Sequence, residues 1–445
     1  MSNALSGVSA GILLVLYNLY LVSLGYKTDF IGLVLFSVTL GAGLAIFPAG
    51  VCVDRFGGKI VLIVTTLLFG AVGAGQILFR QPFPLLISGF VAGVITAFFL
   101  VVNAPYLTAN STPEERPQLF SLNIVIQLAT VVLGEVLGGA LPQWLRSVPA
   151  LMAPLPSQIS WLLAPQNVAR SYQLSLLGAG LIAVPSLIPL FLMSNDRKRL
   201  YVSDVPRPLA ETTAVGSDGS RPFGASIAKK DAIPWSLQRL YKRVRLMSPR
   251  IEIASPFFTL LLAWILVGLG AGLFIPYFNI YFVQHLGASS ALFGLIDGGA
   301  NGMNALLTLI APLLAMRFGK INTIMFTRLI SIPLLLTIGF TSILPLAALL
   351  YLFRQGAMDM ANGVFQVYSM EAVPEQRRGV ANSTYQAAMQ VSWAATTPLG
   401  GFLIAHVGFA PVFVGGALLY LLAVVLLWMR FGRRSTLGET NSAIG

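Results

Sequence analysis

Tyr17-Asn18-Leu19-Tyr20-Leu21-Val22 returns late in the chain as Phe278-Asn279-Ile280-Tyr281-Phe282-Val283. One inserted residue later, a constant offset of 262 aligns Gly25 with Gly287, Gly32 with Gly294, and Ala49 with Ala311. The same offset aligns Arg55-Phe56-Gly57 with Arg317-Phe318-Gly319 and Gly138-Gly139 with Gly400-Gly401, while Pro113-Glu114-Glu115-Arg116 matches Pro374-Glu375-Gln376-Arg377 at 261. Chance scatters such matches. A register held from residue 17 to residue 139 is the mark of an internal duplication.

The composition around the repeat says what each copy is made of. Of 445 residues, 56% are hydrophobic and only 10% charged, with a mean hydropathy of +0.80. Soluble domains carry about 25% charged residues, so lipid is the solvent that suits this chain. Apolar runs long enough to span a bilayer recur at 7–25, 29–52, 59–79, 83–108, 118–141 and 171–194. After a polar break they recur at 255–284, 291–315, 321–341, 343–369, 380–405 and 410–431. The expected fold is therefore an all-α membrane protein of twelve transmembrane helices in two pseudo-symmetric six-helix bundles. The bundles cover 1–194 and 253–434, with a linker at 195–252 and a tail at 435–445. Each copy has an even number of spans, so the halves run parallel about an axis along the membrane normal, with a substrate site expected near the midplane between them. The first run lacks a basic flank and a small-residue cleavage site, and reads as a retained helix.

The net charge of +12 sits in short clusters between apolar runs, which points to membrane orientation and not to nucleic acid. With the linker in the cytoplasm, that side also holds Arg55, Lys59, Arg116, Arg317, Lys320, Arg328, Arg377, Arg378, Arg430, Arg433 and Arg434; the other holds Lys27, Arg80, Arg146 and Arg170. Both termini are then cytoplasmic. Within the linker, Trp235 to Met247 alternates apolar and basic residues, as suits a helix on an anionic membrane surface or a solvated linker helix. The proline-rich stretch 142–170, with Trp144 and Trp161, reads as a hairpin in the outer interface. The lone Cys52 excludes an internal disulfide, and His285 with His406 are too sparse for a metal site. No cofactor is expected, and no phosphate-cradling loop for nucleotide-driven transport is present.

Gly50-Val51-Cys52-Val53-Asp54-Arg55-Phe56-Gly57-Gly58-Lys59 resembles the loop signature of the major facilitator superfamily, G-x-x-x-D-R-x-G-R-[RK], and falls between spans two and three as that family requires. Gly58 departs from the usual Arg, and the second copy has Met316 where the first has Asp54. The resemblance implies alternating access between two bundles, with a cavity lined by spans one, four, seven and ten. It assigns gating to Gly50, Asp54, Arg55, Gly57 and Lys59, with Arg116 as a basic neighbour. Gly134-Glu135-Val136-Leu137-Gly138-Gly139 is similar to the family's antiporter signature G-P-x-x-G-G, with Glu135 in the proline position. The span-four segment Ile87 to Gly93 lacks the Arg usual there. Phe353 to Asn362 resembles span ten of bacterial members of the family, which implies a bacterial inner membrane; a monomer is expected.

Ionisable groups at membrane depth are costly and mark function. Glu135 and Asp359 are the candidate proton sites. Arg354, five residues before Asp359, is an anion clamp or a structural counter-charge; that spacing does not place the two on one helix face. Asp297 reads as a structural or rim residue. Tyr17, Asn18, Gln127, Tyr277, Asn279, Asn304, Arg354, Gln386 and Gln390 are the candidate substrate contacts, each with helix–helix hydrogen bonding as its alternative role. The chain is expected to be no enzyme but a secondary transporter. It is expected to be proton-coupled, as antiporter or symporter, and to move a small amphipathic compound outward. Alternatives are a sugar or organic-anion importer, and a non-transporting sensor or assembly factor of the same fold.

Overall fold

A computed structural model describes residues 2–109, 115–153, 162–186, 256–374 and 378–432. Twelve long helices account for nearly all of them, and no strand occurs among the described residues. The first half contributes α1 (Ser2–Ser23), α2 (Thr28–Phe56), α3 (Gly58–Leu78), α4 (Pro82–Ala109), α5 (Arg116–Arg146) and α6 (Asn167–Ala183). The second contributes α7 (Pro256–Phe274), α8 (Ser290–Phe318), α9 (Lys320–Phe340), α10 (Leu344–Glu371), α11 (Arg378–His406) and α12 (Ala410–Leu427). Beyond Phe274, α7 continues through a tight turn at Ile275–Tyr277 and a wide one at Tyr281–His285. Among the described residues nine helices are long and apolar enough to cross a membrane. The other three are α6, described over 17 residues, and α10 and α11, which carry many amide and hydroxyl side chains. The expected linker, its Trp235–Met247 segment and the C-terminal tail lie outside the described residues.

The duplication is written into the backbone. Gly57 ends α2 at φ 86° and its equivalent Gly319 ends α8 at φ 83°, a left-handed turn that glycine adopts without a Cβ penalty. The end holding the α2–α3 and α8–α9 turns is called proximal here, and the end holding the α1–α2 and α7–α8 turns distal. The repeated tyrosines anchor equivalent helices at the distal end: Tyr20 donates to the Ile77 carbonyl at 2.7 Å and Tyr281 to that of Ile338. Between the halves, α2 packs along α11 and α5 along α8.

Two sequence readings need correction. Arg328 belongs to no loop cluster; it lies eight residues into α9, fully buried. The basic bias between the two ends survives its removal. The stretch 142–170 is no separate hairpin over its whole length, because α5 runs through Pro142 to Arg146 and α6 begins at Asn167. Trp161 lies outside the described residues. What remains is clamped by Arg170, 2% exposed. Its guanidinium donates to the carbonyls of Ala164 (2.9 Å), Ala153 (2.7 Å) and Pro165 (3.2 Å). Gln173 adds bonds to Ala164, Leu162 and Ile77. An Arg170→Met change strands those carbonyls. It is expected to cost about 2 kcal/mol or more, by the usual worth of hydrogen bonds to a charged group, and to lower the thermal unfolding midpoint while opening the connection to protease.

Candidate functional site

Hydrogen bonds join the halves from the distal end to mid-depth, and most of these come in repeat-related pairs. Asn18 donates to the Pro276 carbonyl at 2.7 Å, and its equivalent Asn279 donates to the Val15 carbonyl at 3.2 Å. The two asparagines themselves meet at 3.4 Å. Thr28 donates to the Gly401 carbonyl at 2.9 Å, and its equivalent Ser290 to that of Gly139 at 3.1 Å. The small residues of the quoted motifs make these approaches possible. A Cβ on Gly401 would lie 2.2 Å from the Thr28 carbonyl oxygen, and one on Gly139 2.5 Å from that of Ser290. Toward the proximal end the picture reverses: beside Gly43 and Gly50 of α2 and Gly302 of α8 there is open space. The halves are thus closed distally.

The asparagine clamp is expected to behave as one unit. Asn18→Ala and Asn279→Ala should each weaken distal closure, with an interaction of about 1 kcal/mol in a double-mutant cycle, read from distal cysteine accessibility.

Symmetry breaks at Glu135. It lies on α5 at 1% exposure, and the Asn301 amide of α8 donates to both its oxygens, at 2.9 and 3.0 Å. One turn before Asn301, on the same face of α8, Asp297 accepts from the Tyr351 hydroxyl at 2.8 Å. A carboxyl of one half and a carboxyl of the other thereby stand on either side of the seam, at levels about one helical turn apart along α8. The residue equivalent to Glu135 in the second copy is Thr397, whose carbonyl accepts from the Tyr277 hydroxyl at 2.6 Å within its own half.

A second polar cluster fills the second half at the same level. Arg354 is fully buried. It donates to the Gln355 side-chain oxygen at 3.0 Å and to the Tyr420 hydroxyl at 3.2 Å, and lies over the Phe274 ring at 5.0 Å. Gln355 in turn donates to Asp359 at 2.7 Å, so Arg354 and Asp359 are joined through an amide and not as a direct pair. Asn304 of α8 (3.3 Å) and Asn362 (3.4 Å) complete the donors around Asp359, and Thr308 donates to Asn304 at 3.1 Å.

The remaining candidates separate into groups. Tyr17 is half-buried, and its buried hydroxyl has no partner among the described residues. Asn18 and Asn279 belong to the distal closure, as does Tyr277, whose hydroxyl lies 2.6 Å from where a Cβ on Gly32 would be. Gln127 of α5 and Gln386 and Gln390 of α11 are exposed on the proximal parts of helices that meet their partners distally. The loop residues lie at the proximal end. Arg55 stacks over Phe56 at 5.6 Å, as its equivalent Arg317 does over Phe318, and the half-buried Lys59 is the second residue of α3. The side chains of Asp54 and Arg116 lie outside the described residues. Nearby, Lys320 pairs with Glu371. The network members Gln355, Tyr351 and Tyr420 were not singled out by sequence. Polar pairs four apart on one helix, Asp297 with Asn301 and Gln355 with Asp359, were the available signal. No group of three metal-binding side chains occurs among the described residues.

Comparison with known proteins agrees with this architecture. A family model described as the Major Facilitator Superfamily matches residues 1–265 and again 260–444. The uncharacterized MFS-type transporter YhhS of Escherichia coli K12, and that of Shigella flexneri, are 28% identical to this chain over 112 residues. That match spans 25% of this chain and 28% of the relatives' length. Among solved structures, a bacterial homolog of the human lysosomal transporter Spinster, inward-facing and occupied, superposes with a TM-score of 0.70 at 14% identity, covering 96% of this chain and 94% of that one. An inward-facing bacterial homologue of the iron transporter ferroportin gives 0.68 at 17%, and a D-xylose-proton symporter 0.64 at 16%, each covering 96% of both chains. At these identities the likeness is one of fold.

Proposed function

The chain belongs to the major facilitator superfamily, and on that premise we propose that it is a proton-coupled secondary transporter exporting a small amphipathic organic compound by alternating access. Glu135 carries the reading. It is a buried carboxyl held by a single amide from the opposite half, at a seam that must part for access to alternate. Asp359 serves as the second proton site, with Arg354 behind it as counter-charge through Gln355. Asn304, Gln127, Gln386 and Gln390 supply substrate contacts, while Tyr17, Asn18, Tyr277 and Asn279 contact substrate only from the distal side. Gly50, Asp54, Arg55, Gly57, Lys59 and Arg116 form the proximal gate. The basic residues Arg55, Lys59, Arg317, Lys320, Arg378 and Arg430 near the proximal end favour placing that end in the cytoplasm of a bacterial inner membrane.

Few charges in a mostly apolar interior suit an amphipathic solute better than a polyhydroxyl one, which calls for more charged and amide partners. The test is reconstitution in liposomes holding a pH dye, with amphipathic cations, organic anions and sugars supplied in turn. Substrate-dependent proton flux with an amphipathic compound is the expected result. Flux with sugars alone would move the reading to import, and no flux with any compound under any gradient would sink coupled transport.

A further inference from the structure

Among the described residues Arg328 has no counter-ion. Its side chain is fully buried, about 12 Å along α9 from Lys320 at 1.5 Å per residue. Among the described residues none of its three guanidinium nitrogens has a hydrogen-bond partner, and the indole nitrogen of its neighbour Trp264 has none either. Around it are rings: the guanidinium carbon lies 5.4 Å from the centres of both Trp264 of α7 and Phe365 of α10, which stack on each other at 4.3 Å. The Tyr420 hydroxyl is already engaged by Arg354.

A buried charge without partner is among the most costly things a fold can hold. Ring faces compensate a cation only in part, and they accept none of its N–H groups in the plane of the guanidinium. Donors from Arg328 and Trp264, with no acceptor, are the complement of an anion.

We propose that the interior of the second half binds a monovalent, weakly hydrated inorganic anion of the chloride class, held by the Arg328 guanidinium and the Trp264 indole N–H. A weakly hydrated anion suits the site because it must shed its water, and the guanidinium is itself weakly hydrated. The positive edges of aromatic rings favour a negative guest. Trp264 is only half-buried, so room is made by turning a side chain and not by moving a helix. The bound anion ties α7, α9 and α10 together, and its function is to stabilise this half while the two halves rock.

The experiment uses the full chain in detergent at constant pH and ionic strength, with sodium gluconate replaced stepwise by sodium chloride or bromide. The thermal unfolding midpoint of the wild type should rise saturably, by about 2 °C or more, and Arg328→Met should be flat. A bare buried charge predicts the opposite pattern: Arg328→Met more stable in every salt and no chloride dependence in the wild type. A flat wild type, or an equal rise in Arg328→Met, overturns the proposal. If Arg328→Met does not purify, Trp264→Phe decides. Bromide should quench a saturable fluorescence component in the wild type that is missing in Trp264→Phe, and equal quenching in both overturns the site.

Discussion

Glu135→Gln should reduce pH-gradient-driven flux to background while leaving substrate-for-substrate exchange in place. Glutamine matches the carboxyl in shape but cannot take up or release a proton. Asn301 presents its amide N–H groups to both Glu135 oxygens, and a glutamine amide would answer one of them with another donor unless Asn301 turns over. The substitution therefore holds the seam in one protonation-like state and removes its response to pH. Exchange needs only that the substrate-loaded halves rock, so it persists. Asn301→Leu should do the reverse: it strands a buried carboxyl and slows both modes, because an unpaired buried acceptor costs about 1–3 kcal/mol or more. Flux in proteoliposomes with and without an imposed pH gradient separates the two. Gradient-driven flux surviving in Glu135→Gln would remove Glu135 from the coupling.

Gly401→Leu is the second large effect, and it acts by space alone. Its Cβ would lie 2.2 Å from the Thr28 carbonyl oxygen and 3.0 Å from the carbonyl carbon. Backbone cannot move aside as a side chain can, so distal closure is what yields. Overpacking costs about 1–3 kcal/mol, equivalent to a roughly 5–150-fold fall in the closed population. Turnover should fall in proportion, and a cysteine at Ser289 should react faster with an impermeant reagent. The equivalent Gly139→Leu should behave alike, since its Cβ meets the Ser290 carbonyl at 2.5 Å. The folded protein itself survives, because the seam opens in the other state. Unchanged turnover in both variants would mean the distal contact is not part of the cycle.

The repeat was legible because it is carried by residues whose roles depend on spacing. Asn18 and Asn279, Tyr20 and Tyr281, and Gly139 and Gly401 stand in register in the sequence and form equivalent bonds in the fold. Side chains whose role depends on a partner in another helix were not legible in that way. The spacing of Arg354 and Asp359 correctly argued against a direct pair, yet it gave no sign that Gln355 joins them. Arg328 was read with the basic loops because it stands near Lys320 in sequence; its burial comes from the rings of α7 and α10 around it. Pro142 suggested a break, but α5 carries it inside the helix. Glu135 stood out because it occupies the place of a proline in a glycine motif, while Asn301 across the seam has no such marker.

The central claim is that two equivalent halves close distally while they part proximally, and that the two ends exchange these states. With Cys52 replaced by alanine, spin labels at the exposed, repeat-related positions Lys27 and Ser289 report the distal end, and labels at Phe56 and Phe318 the proximal end. Pulsed dipolar distances in lipid should be short and narrow distally and long proximally at rest. Substrate or a change of pH should lengthen the first and shorten the second together. Distances that stay fixed at both ends, or that lengthen at both, would contradict the account.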